Sequence, residues 1–181
     1  MSWRYGVLGR DPCPGGCHRT IFNLMSRLTL IPMTTDELET LMARTAREYA
    51  AEQVQAGNWP EESAEELGRA ETARLLPEGA QTPGMSFLSA FDGDLRVGYV
   101  WLNLEPRIAT TGEAWIYDIE VVAELRGRGY GRLLLAAAED EARRAGATYL
   151  GLNVFGTNLV ARSLYEGSGY EVKTMQMRKA L

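Results

Sequence analysis

Apolar positions along the chain recur with two periods, and the switches between them set out a mixed α/β order. After a short apolar strand at 27–31, Thr34-x-x-Glu37 reads as a capping box. Leu38, Leu41, Met42, Thr45 and Tyr49 then follow on one helical face, predicting a helix to about Gln55 that closes at Ala56-Gly57. Asn58-Trp59-Pro60 breaks the pattern, 61–75 reads as a second, acidic helix, and 76–84 is a loop rich in Pro and Gly. Runs at 85–91 and 96–104 flank Asp92-Gly93-Asp94 and predict a hairpin. A loop through Glu105-Pro106 and Thr110-Thr111-Gly112 leads to an apolar run at 116–122. Leu134, Leu135, Ala138, Ala142 and Ala145 share an arc of about 100°, so a helix from Arg132 to near Gly146 lays one stripe on a sheet. A strand at 149–154, a helix at 158–167 and a last strand at 170–177 complete an α/β chain with a mixed sheet.

One stretch stands out against this pattern. Between the run at 116–122 and the helix that follows it lies Leu125-Arg126-Gly127-Arg128-Gly129-Tyr130-Gly131-Arg132. Three alternate glycines permit positive φ and let a ligand approach the backbone. The turn opens a helix whose first N–H groups lack internal partners and carry the positive end of its dipole, which suits a phosphate. A dinucleotide fingerprint needs G-x-G-x-x-G with an acidic residue about 20 positions on, and here the spacing is G-x-G-x-G with Asn153-Val154 at the next strand end. A nucleoside-triphosphate loop needs G-K-[ST], and no lysine precedes Lys173.

What remains is R-x-x-G-x-G, formed by Arg126, Gly129 and Gly131 between a strand and an Ala/Leu-rich helix. Downstream, Leu152-Asn153-Val154 leads to Asn158, Ala161, Leu164 and Tyr165 in the pattern N-x-x-A-x-x-L-Y, followed by Gly169-Tyr170. The two motifs, in this order and separated by one helix and one strand, resemble the two signatures of the GNAT superfamily of N-acetyltransferases. The resemblance covers 25–181, is strongest from Ala114 onward, and before that is one of architecture.

Composition narrows the picture further. With 181 residues, 45% of them apolar, the chain can bury one sizeable core. A net charge of −5 disfavours a nucleic-acid partner, and no apolar run is long enough for a membrane span. Residues 1–24 have no period and no signal-peptide core, and read as an upstream or disordered extension of a cytoplasmic protein, with Met25 a plausible start. Cys13, Cys17 and His18 fall short of a zinc set, because His18 is the chain's one histidine; no metal is expected.

The resemblance implies a single domain with a mixed central sheet of about six to seven strands and about four flanking helices. Two central strands splay apart, and the acyl-CoA arm lies in the gap. Acetyl-CoA is the implied co-substrate. The backbone of Ile119, Glu120 and Val121 would pair with its pantetheine amides, as an added strand pairs with an edge. The N–H groups of Gly127, Arg128, Gly129, Tyr130, Gly131 and Arg132 would cradle its pyrophosphate. Arg126, Arg128 and Arg132 either reach its phosphates or stay solvated.

Asn158 and Tyr165 lie two helical turns apart and share a face. Asn158 would hydrogen-bond the cofactor, and Tyr165, a phenol with a pKa of about 10, would protonate the departing thiolate. The attacking amine must lose a proton. Ribosomal-type protein N-terminal acetyltransferases carry a glutamate where this chain has Asn153, which cannot serve as a base. Asp118, Glu120 and Glu105 are the candidates, with Glu120 favoured. Tyr49, Glu52, Trp59 and Glu62 either frame a cationic amine or form packing and a solvated face. No nucleophilic or metal constellation is present, so direct attack in a ternary complex is expected. The implied function is N-acetylation of a primary amine of a small molecule or peptide, with a homodimer possible; the alternative is an inactive acyl-CoA-binding regulatory module of the same fold.

Overall fold

The computed structural model describes residues 27–105 and 112–179. The expectations for 1–24, with Cys13, Cys17 and His18, and for the loop at Pro106, Thr110 and Thr111 lie outside those residues. The described chain runs β1 (Thr29–Pro32), α1 (Thr35–Gln55), a 3₁₀ turn (Glu61–Ser63), α2 (Ala64–Leu75), β2 (Met85–Asp92), β3 (Leu95–Asn103), β4 (Glu113–Val121), α3 (Tyr130–Arg144), β5 (Tyr149–Leu152) and α4 (Leu159–Glu166). The capping box opens α1: Glu37 N–H donates to Thr34 Oγ1, and Thr34 N–H donates back to Glu37 Oε2.

The five strands form one sheet in chain order, antiparallel except for the parallel pair β4–β5. This corrects the expected six to seven strands. The predicted strand at 170–177 is irregular, and exposed from Glu171 onward. It leaves Gly169 at a φ of 91°, and Arg178 donates to the carbonyls of Gly57 and Ala56 at 2.6 and 3.3 Å. The tail is thus tied to the end of α1, and among the described residues the outer edge of β5 pairs with nothing.

Each face of the sheet carries a core. Val100, Leu102 and Ile116 pack with Leu134, Leu135 and Ala138 of α3, while Phe87, Tyr99 and Trp101 pack with Leu41 of α1 and Leu76. The alternation in β4 is interrupted. Trp101 lies opposite Asp118 and Leu102 opposite Ile116, so Tyr117 is an extra residue in the β3–β4 register, its ring stacked on Trp101. This bulge shifts the phase of the strand. Ala114 and Ile116 before it, and Ile119 and Val121 after it, are buried or packed on the α3 side. Without the bulge, strict alternation would direct Asp118 and Glu120 into that apolar core; with it, they stand on the α1 face.

Candidate active site

On the α1 face, Asp118 is the centre of a hydrogen-bonded group. Its Oδ2 accepts from the Tyr99 hydroxyl at 2.6 Å and the Thr45 hydroxyl at 3.2 Å. Burial pushes the Asp118 carboxyl above the usual carboxylate range, although those two hydrogen bonds oppose the shift. The Tyr99 phenol is driven far above its ordinary value by burial and by the charge of Asp118. Arg44 donates to the Tyr99 oxygen at 2.8 Å and lies 5.2 Å over the centroid of its ring.

Arg44 also pairs with Glu120 at 2.7 Å, and Glu120 pairs with Arg126 at 2.6 Å. Arg126 further donates through Nε to the Val121 carbonyl at 3.1 Å. Both predicted roles are affected. Glu120, favoured as a base, is held between two guanidinium groups, and taking a proton would neutralise the anion that both need. Arg126 is turned toward β4 rather than toward the glycine turn. The chain of contacts Thr45, Asp118, Tyr99, Arg44, Glu120, Arg126 joins α1 to that turn.

The turn itself has the shape its glycines suggest. Gly127 and Gly129 have φ of 74° and 91°, and a Cβ on either would meet nothing within 4 Å, so the backbone there is open to a ligand. Gly129 caps α3 without a side-chain bond. From Gly127 to Gly131, no backbone N–H donates to an acceptor among the described residues; Arg132 N–H closes on the Gly129 carbonyl at 3.1 Å. Tyr130 donates its hydroxyl to Asp92 at 2.9 Å. Arg128 and Arg132 are exposed and make no ion pair among the described residues. Uncommitted N–H groups, an open cradle and two unpaired cations together fit a pyrophosphate.

Beside the turn the sheet opens. Pairing of β4 with β5 ends at Ile116 and Leu152, so Ile119, Glu120 and Val121 extend past the last pair. The Asn158 side-chain oxygen accepts from Ala161 N–H at 3.1 Å and caps α4, while its amide NH₂ makes no hydrogen bond among the described residues. Tyr165 is half-buried, with its ring centroid 5.8 Å from that of Tyr170 and its hydroxyl hydrogen-bonded to no described residue. Burial, and next the charge of Asp118, raises the Tyr165 phenol above its ordinary value, so it is protonated at neutral pH.

Across from Asn158, Glu52, Gln55 and Ala56 line a cavity of about 400 Å³ together with Phe155, Gly156 and Thr157. A larger one, about 540 Å³, lies between α1 and α2 among Met42, Ala46, Arg69 and Thr72, and includes no residue of either motif. Trp59 packs edge-on against Tyr49 at 5.4 Å, and Glu62 is exposed in the 3₁₀ turn. Glu105 follows Asn103, which lies opposite Trp115, whereas Tyr99 lies opposite Glu120. Glu105 is therefore at the other end of β3. Arg44 and Tyr99 went unnoticed in the sequence. Their only signal was position: Arg44 one turn before Glu48 on the polar flank of α1, and Tyr99 in phase with Trp101. No group of three or more metal-ligating side chains occurs among the described residues.

A mixed sheet that opens beside a glycine turn, with a tyrosine-bearing helix at the opening, is the architecture of an acetyltransferase. The Acetyltransferase (GNAT) family matches residues 42–170, and the chain belongs to that family. It is 37% identical over 156 residues to the uncharacterized N-acetyltransferase YycN of Bacillus subtilis, covering 85% of this chain and 99% of that one. The crystal structure of YycN superposes with a TM-score of 0.79 over 85% of this chain and 98% of its own. The PaiA N-acetyltransferase of Thermoplasma acidophilum, solved in complex with coenzyme A, is 25% identical with a TM-score of 0.56, over 82% and 92% of the two chains.

Proposed function

We propose that this protein transfers the acetyl group of acetyl-CoA to a primary amine of a small molecule or peptide, by direct attack within a ternary complex. The observation that carries the reading is the open end of the β4–β5 pair, flanked by the uncommitted N–H groups of 127–131 and by Tyr165. The coenzyme A complex of the PaiA relative supports the choice of cofactor. In this reading the backbone of Ile119 and Val121 pairs with the pantetheine, and the N–H groups of 127–131 hold the pyrophosphate. Arg128 and Arg132 add charge, and the Asn158 amide donates to the bound arm. Tyr165 then gives its proton to the departing thiolate.

Glu120 serves in this scheme as the bridge that fixes Arg44 and Arg126 rather than as the base, because its carboxylate already has two cationic partners. A cytoplasmic homodimer completes the proposal; the open edge of β5 and the exposed Val172, Met175 and Met177 of the C-terminal tail are the surfaces it would bury. The test is acetyl-CoA binding by calorimetry, with thiol release followed against a panel of amines. Binding with turnover on at least one amine supports the transferase; absence of binding removes it.

A further inference from the structure

Resting on that transferase reading, we infer that Glu52 receives the acceptor amine and takes its proton. Four carboxylates approach the region between α1 and β4, and the structure separates them by what each already holds. Asp118 accepts two hydroxyl hydrogen bonds. Glu120 bridges two arginines, and Glu48 lies 3.7 Å from Arg44. The carboxylate of Glu52, one turn beyond Glu48, makes no hydrogen bond or ion pair among the described residues. It is also the carboxylate that lines the cavity across from Asn158. That cavity adjoins the open end of the sheet, where the thioester is expected.

Its position relative to the proposed acid is consistent. Asp118 acts electrostatically on both Glu52 and Tyr165, so both lie near the same buried carboxyl. Glu52 is exposed at the cavity rim, and partial desolvation there, followed by the charges of Asp118 and Glu48, raises its carboxyl above its ordinary value. The other charged groups near the cavity are Arg178, bound to the Ala56 and Gly57 carbonyls, and Arg162, which donates to the Gly156 carbonyl and pairs with Glu166. Both cations are occupied by those contacts. A carboxylate so placed holds an ammonium group by charge, and its raised proton affinity favours taking the proton.

The reaction then balances. The ammonium N–H breaks, and the proton moves to the Glu52 carboxylate. The nitrogen lone pair forms the C–N bond at the acetyl carbon, and the C–S pair leaves on sulfur, which takes the Tyr165 proton. The second nitrogen proton restores the Tyr165 phenol, and Glu52 returns its proton to solvent. The products are the acetamide, coenzyme A and one proton.

The experiment compares wild type with Glu52→Gln, Glu52→Asp and the control Glu48→Gln. Thiol release from acetyl-CoA is followed from acid to alkaline pH with putrescine, spermidine, kanamycin and a glycyl peptide, and acetyl-CoA binding is measured for each protein. Glu52→Gln should keep the melting temperature and acetyl-CoA binding. It should lower kcat/KM at neutral pH by about 10²-fold or more. Its acid limb should move up toward the pKa of the amine itself, with Glu52→Asp retaining part of the activity. A Glu52→Gln enzyme within about threefold of wild type, with an unmoved pH profile, overturns the role of Glu52 and leaves the transferase reading intact. Wild type that binds acetyl-CoA but turns over none of these amines counts against both.

Discussion

Replacing Asp118 with alanine tests the group that ties α1 to β3 and β4. The side chain removed accepts from Tyr99 at 2.6 Å and from Thr45 at 3.2 Å, and Tyr99 is only 6% exposed, so its hydroxyl has little access to water. Each hydrogen bond to a charged acceptor is worth about 1.5–3 kcal/mol, and relief of the buried carboxylate offsets part of that sum. A net loss of about 2–3 kcal/mol follows. For a chain of this size, 1 kcal/mol shifts the midpoint by about 2–4 °C, so thermal denaturation should show a drop of about 5–10 °C. Tyr99→Phe alone should cost about 1 kcal/mol, because Arg44 keeps Glu120. The Asp118→Ala/Tyr99→Phe pair should be non-additive by about 1 kcal/mol. A drop below about 2 °C, or strict additivity, would refute the idea that these residues act as one buried unit.

Gly129→Ala forces an L residue to a φ of 91° in the turn. The strain of about 1–2 kcal/mol should weaken acetyl-CoA binding by roughly tenfold in calorimetry, and unchanged affinity would contradict the phosphate cradle. Glu37 is held below its ordinary pKa, first by the backbone N–H of Thr34. Its contribution is therefore full above the ordinary carboxylate range and lost as pH falls through its folded value. The melting difference between wild type and Glu37→Gln should be largest near pH 7 and shrink in acid; a difference that is constant with pH contradicts the capping assignment.

Much of the order of elements was readable because local rules and tertiary packing agree. The capping box at Thr34, the hairpin around Asp92-Gly93-Asp94 and the start of α4 at Asn158 are each decided within a few residues. The glycine turn was legible for the same reason, since its positive φ values require residue types that stand out in a sequence. The bulge at Tyr117 was not, because it depends on which β3 residue each β4 residue meets. A pattern-based reading put Asp118 and Glu120 on one face and was right about that, but could not say which neighbours share it. The partner that occupies Glu120 is one of these: Arg44 comes from an element 76 positions away. Tyr170 to Met177 has strand composition, yet a strand needs a partner, and this tail is tied to α1 by Arg178 instead.

The most direct test of the account is thiol release from acetyl-CoA by wild type and Tyr165→Phe on the same amine panel, with acetyl-CoA affinity measured for both. The phenol makes no hydrogen bond among the described residues, so its loss should leave fold and binding unchanged. If Tyr165 supplies the thiolate's proton, kcat should fall by about 10²-fold or more at constant acetyl-CoA affinity. A Tyr165→Phe enzyme with wild-type kcat on a turned-over amine would contradict the assignment.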